Sequence, residues 1–110
     1  MNARAIKPTH DDLRQIKGII RAVASKWGID AKILLGRSRK QPEAFARQLC
    51  MALAYQKTNF SLVQVGECFG NRDHATVLHA IKRVNEASNN KEVAPIIMEV
   101  IQEIKTKINT

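Results

Sequence analysis

Apolar residues recur at three- and four-residue steps along nearly the whole chain, interrupted only by glycine, proline and short polar clusters. That spacing lines one face of a helix, whereas strands need a two-residue alternation, so the expected fold class is all-α. Thr9 with Asp12 three residues later has the pattern of a capping box, and Leu13, Ile16, Ile19, Ile20, Val23 and Trp27 then mark a first helix that Gly28 ends. Asp30 caps a short second helix running through Leu35, closed by Gly36. A polar loop from Arg37 to Gln41 follows. Pro42 suits the first turn of a third helix, in which Phe45, Ala46, Leu49, Cys50 and Leu53 form a buried stripe as far as Lys57. Thr58 and Asn59 break that helix, and Ser61 caps a short fourth one, Leu62 to Cys68, with Leu62, Val65 and Phe69 facing inward. Gly70 and Asn71 turn the chain, and Asp73 caps a fifth helix whose inner face is Val77, Ala80, Ile81 and Val84, ended by Ser88, Asn89 and Asn90. Residues 92–109 make a sixth helix, striped by Val93, Ile96, Ile97, Val100, Ile101, Ile104 and Ile108.

At 110 residues with 45% hydrophobic content, one domain over 1–110 is expected to bury a core without metal or disulfide support. The longest apolar run, Leu49 to Tyr55, falls far short of the roughly 18 residues of a membrane span. The first thirty residues include Asp11 and Asp12 and lack a continuous apolar segment, so a cytoplasmic placement is expected. Cys50 and Cys68 sit in apolar helical stretches and read as small buried hydrophobes. His74 and His79 are five apart and do not share a helical face, and no cysteine or histidine motif supports zinc. Neither metal nor cofactor is expected. Paired carboxylates and nucleophile triads are likewise missing, so the chain does not read as an enzyme.

Charge is more informative. Eighteen Lys and Arg against ten Asp and Glu give a net charge of +8. The excess is confined to residues 1–58, which hold twelve basic and four acidic residues, while residues 59–110 hold six of each. A half that basic suits a polyanion, most often nucleic acid. Two short helices across a glycine turn make the fourth and fifth helices a helix-turn-helix candidate. In such a unit the first turn of the second helix meets the major groove, and His74, Ala75, Thr76 and His79 are free of core duty there. Asp73 can accept from a cytosine amino group, and the methyls of Ala75 and Thr76 can touch thymine methyls. On pattern alone, Asp73 and Thr76 serve equally well to satisfy the backbone at a helix start.

The string Val65-Gly66-Glu67-Cys68-Phe69-Gly70-Asn71-Arg72-Asp73-His74-Ala75-Thr76-Val77-Leu78-His79-Ala80 resembles the signature of the C-terminal DNA-binding domain of bacterial DnaA replication initiators. The resemblance runs over about residues 12–88, through Ala46-Arg47-Gln48-Leu49, Met51-Ala52-Leu53-Ala54 and the basic loop at Arg37 to Lys40. It implies a helical domain similar in fold to the Trp repressor that binds an asymmetric, AT-containing origin box in double-stranded DNA as a monomer. Position by position, it places the major-groove readers at Asp73, His74, Ala75 and Thr76, with Arg72 in the same signature. Arg39 falls where the family inserts an arginine into the minor groove, where a narrow AT-rich tract concentrates negative potential. Arg47 and Gln48 match contacts at the start of the central helix, and Leu62 and Val63 match residues that approach DNA at the start of the fourth. Lys82 and Arg83 reach phosphates or complement the helix dipole. The chain departs from the family pattern at Ala75, where Ser or Thr is usual, at Pro42, Glu43 and Phe45, which replace residues often basic, and at Tyr55, which stands where Lys is common.

The chain carries no phosphate-binding loop of the G-x-x-x-x-G-K-[ST] type, so origin melting by this chain alone is not expected. The reading is a stand-alone DNA-binding domain that occupies DnaA-box-like sites and regulates replication or transcription. The alternative is a protein-interaction module that binds an initiator or another partner. The stripe of the sixth helix must be buried somewhere, and packing against helix one is expected over a two-fold dimer through it.

Overall fold

Local side-chain chemistry fixes the ends of most helices. The computed structural model describes residues 7–108, and among these the elements are α1 (His10–Trp27), α2 (Ala31–Leu34), α3 (Glu43–Lys57), α4 (Leu62–Cys68), α5 (His74–Ala87) and α6 (Ala94–Ile108). Residues 1–6 and 109–110 of the expected domain, including the last residue of the expected sixth helix, lie outside the described residues, as do the side chains of Lys107 and Ile108.

The expected capping box opens α1. Thr9 Oγ1 accepts from the Asp12 backbone N–H at 3.2 Å, and Asp12 Oδ2 accepts from the Thr9 N–H at 2.9 Å. At its other end Gly28 adopts the left-handed conformation. Asp30 caps α2 by accepting from the Lys32 N–H at 2.8 Å. A second reciprocal box opens α4, because Gln64 answers Ser61: Ser61 Oγ accepts from the Gln64 N–H at 3.1 Å and Gln64 Oε1 from the Ser61 N–H at 2.9 Å. Pro42 differs from expectation, standing just before α3 instead of within its first turn. There the backbone is satisfied from upstream, where Lys40 O accepts from Ala44 N–H at 2.8 Å and Gln41 Oε1 from Phe45 N–H at 3.2 Å.

α3 is the centre of the molecule. Leu49 through Ala54 are all buried, so this helix is enclosed nearly all round, with α1 and α5 packed against it. Its small residues, Ala46, Cys50, Ala52 and Ala54, let those neighbours approach closely. Burial pushes the Cys50 thiol far above its ordinary pKa. Cys68 is only half-buried, contrary to expectation, because it lies at the last residue of α4. Leu13 is likewise 39% exposed. At that level of α1 the inward position belongs to Asp12, which holds Thr9 and receives the Asn59 side chain, and the buried stripe continues from it through Ile16, Ile19 and Val23.

The centre of the α6 stripe is buried within its own chain, with Val93 and Ile101 partly buried against the same core. Ile97, Val100 and Ile104 belong to the core, and the helix packs against α1 as expected, with an ion pair between Lys26 and Glu99 at the edge of the contact. Among the described residues no helix is long and apolar enough to cross a membrane.

Candidate nucleic-acid interface

The turn between α4 and α5 is held by close backbone approach. The Arg72 N–H donates to Gly66 O at 2.9 Å, and a Cβ added at Gly66 would collide with the Arg72 carbonyl oxygen. Gly70 and Asn71 both take positive φ, 78° and 57°, which these two residue types tolerate best. Val65 and Phe69 anchor α4 in the core on one side of the turn, and Val77 anchors α5 on the other. Asp73 then caps α5: its Oδ1 accepts from both the Thr76 N–H and the Thr76 hydroxyl, each at 2.9 Å. Those two bonds, the backbone one first, hold the Asp73 carboxyl below the usual carboxylate range.

While Val77, Ala80 and Val84 face the core, Asp73, His74, Ala75, Thr76, His79, Lys82 and Arg83 are all exposed. Beside this face lies a cleft of roughly 410 Å³, walled by the loop before α3, the start of α3 and the first turns of α5. Arg37, Arg39, Arg47, Arg72, Gln48, Thr76 and His79 line it, and among the described residues no carboxylate does. Sequence reasoning had Arg37 only as part of the basic loop; its spacing from Arg39 is the signal that both can face one side of an extended segment.

Backbone carbonyls, not acids, hold three of these guanidiniums. Arg47 is only 5% exposed; its Nε donates to Leu34 O at 2.6 Å, Nη1 to Ser38 O at 2.8 Å and Nη2 to Ile33 O at 3.2 Å. Arg72 Nη2 donates to Gly36 O at 2.6 Å and Nη1 to Phe69 O. Arg37 Nη2 donates to Gly70 O at 2.8 Å. Burial first, and then the guanidiniums of Arg47 and Arg37, lower the pKa of Arg72. Like charges thus crowd one wall of the cleft, a field that an anion relieves.

The residues singled out from sequence divide accordingly. Arg39, Arg47, Gln48, Arg72 and Thr76 meet in the cleft, with the Gln48 Oε1 buried and lacking a hydrogen-bond partner among the described residues. Asp73, His74 and Ala75 continue that surface along the first turn of α5. Leu62 is 4% exposed and packs in the core, leaving Val63, 50% exposed, as the apolar side chain offered at the start of α4. Lys82 and Arg83 lie further along α5, where Arg83 borders a separate hollow of roughly 240 Å³ with Phe45 and Glu86. Gly66, quoted only as part of a motif, proves to be the residue on which the turn depends.

A short helix and a longer one joined by a glycine-pinned turn, with the first turn of the second bared beside a basic cleft, define a helix-turn-helix DNA-binding domain. The chain belongs to the bacterial DnaA helix-turn-helix family, whose model matches residues 16–84. It is similar to the chromosomal replication initiator protein DnaA of Corynebacterium jeikeium (strain K411), with 36% identity over 105 residues, covering 94% of this chain. The chain spans 18% of the length of that relative.

Proposed function

We propose that the chain binds double-stranded DNA at DnaA-box-like, AT-containing sites and acts there, as one domain, in regulating replication initiation or transcription. In this reading Asp73, His74, Ala75 and Thr76 read base edges in the major groove, with Val63 in apolar contact nearby. Arg39, exposed on the loop across the cleft, enters the adjacent minor groove, and Lys82 and Arg83 hold phosphates. The observation that carries the reading is the bare first turn of α5 alongside a cleft that, among the described residues, is lined by four arginines and no acid. Family membership supports the same site. The domain binds as a monomer, because Ile97, Val100 and Ile104 at the centre of the α6 stripe are already taken up by its own core.

Titration of a box duplex and a scrambled duplex, each at several salt concentrations, tests this. Tighter binding to the box is expected, with log affinity falling against log salt at a slope of about 0.9 per phosphate neutralised. Equal affinity for both duplexes, or binding indifferent to salt, would overturn the reading.

A further inference from the structure

We infer that Arg72 and Arg37 form a clasp that sets the register between the basic loop and the helix-turn-helix, so that Arg72 is a positioning residue and not a DNA contact. The inference rests on the DNA-binding reading above. Arg72 projects from the turn of the helix-turn-helix and donates to Gly36 O at the end of the α2 segment, while Arg37, the next residue, donates back to Gly70 O. Each side therefore supplies one guanidinium and receives one. Arg72 also closes onto Phe69 O within its own turn, so one planar fork spans two carbonyls from different parts of the chain. The two partners are 36 residues apart along the sequence, and no ion pair joins these segments among the described residues. The two carbonyls, reached from opposite ends of the Arg72 fork, fix where its guanidinium lies, whereas Arg39, two residues beyond Arg37, is exposed on the very loop that the clasp holds.

This makes the reach of Arg39 into one groove depend on a residue of the unit that reads the other. Lysine cannot substitute, because an ammonium is a point donor that does not present the fixed fork needed for two separate carbonyls.

The full chain is compared with its Arg72→Gln, Arg72→Lys and Arg37→Gln variants, each first checked by circular dichroism for native helix content. In limited trypsin digestion without DNA, with sites mapped by mass spectrometry, cleavage after Arg39 and Lys40 is expected to speed up about tenfold in both Arg72 variants, as charge-assisted bonds holding the loop are lost. Should the Arg72 variants fail to fold, Arg37→Gln, altered on the exposed side of the clasp, carries the same expectation with a smaller, roughly threefold, rise. On a box duplex with its AT-rich flank, the penalty for Arg39→Ala is expected to shrink from about tenfold to about twofold in the Arg72→Gln background, while the salt slope stays that of the wild type. Unchanged loop cleavage in the folded variants overturns the clasp, as does full rescue by Arg72→Lys. A salt slope lower by about 0.9 in Arg72→Gln identifies a phosphate contact instead. Failure of the wild type to prefer the box overturns the DNA reading alone, since the digestion needs no DNA.

Discussion

α5 and α6 are alike on paper: 14 and 15 residues, each with an apolar stripe at helical spacing and a mixed polar face. They differ in what surrounds the polar face. α5 packs on α3 and α4, begins at a cap that closes a tight turn, and holds its first turn beside four arginines. α6 packs on α1, and no residue of α1 or α6 lines the cleft. Amphipathicity therefore tells where a helix meets the core, whereas its neighbours decide whether the other face does anything. α5 holds, beyond its apolar stripe, a bared first turn beside four arginines; among the described residues the outer face of α6, with Met98 63% exposed, takes no part in that cleft.

The strongest test of that contrast is Gly66→Ala. Because the clash is with backbone, the turn must open, and a loss of about 3 kcal/mol in chemical denaturation is expected, with DNA binding lost alongside. A variant of native stability would show that α5 does not need the turn. Ile97→Ala probes the other helix: removing this 5% exposed side chain is expected to cost about 2 kcal/mol of stability while leaving box preference intact wherever the protein is folded. Altered preference would mean that α6 also shapes the site. His74→Ala should do the reverse, leaving the denaturation midpoint unchanged and eroding discrimination between box and scrambled duplex by about 1 kcal/mol. Equal loss on both duplexes would move His74 from base reading to the DNA backbone.

The smallest effect is expected from pH. The Asp73 carboxyl is held below its ordinary pKa of 3.8 by the Thr76 backbone and hydroxyl bonds. A depressed carboxylate contributes stability that is fully present above the unfolded value and is lost as pH falls through the folded one. Thermal melts below about pH 4 should therefore show a slightly steeper fall in midpoint for the wild type than for Asp73→Asn, whose amide oxygen still caps the helix without titrating. Identical curves would indicate that the cap carries no proton-linked stability.

The parts of this fold legible in the sequence were those encoded within a few residues. Thr9 with Asp12, Asp30, Ser61, Asp73 and Gly28 mark helix ends because the groups they satisfy lie at most four residues away. Leu13 escaped because a polar residue, Asp12, takes the inward position beside it. The resemblance marked Arg47 as a DNA contact, but its carbonyl partners were hidden for a different reason. A charge on a helix reads as solvated surface, and nothing local reveals that Ile33, Leu34 and Ser38 will present carbonyls to it from 9 to 14 residues upstream. Gly66 reads as a weak helix residue until the returning chain is seen to pass against it. The candidate site was thus readable in its exposed members on α5, whose freedom from the core follows from periodicity, and in the identity of Arg39, Arg47 and Arg72, but not in the long-range carbonyl bonds by which Arg37, Arg47 and Arg72 join it to the loop.

The pairing of α1 with α6 carries a consequence for how the protein is made. Lys26 and Glu99, at that contact, are 73 residues apart. Synthesis from the N-terminus delivers α1 well before α6, and closing so long a loop costs more entropy than the local contacts between α4 and α5. α3 and the α4–α5 unit can assemble while α6 is still being translated. Until α6 arrives, the flank of α1 that it covers stays in water, open on the ribosome to a chaperone or to another nascent chain.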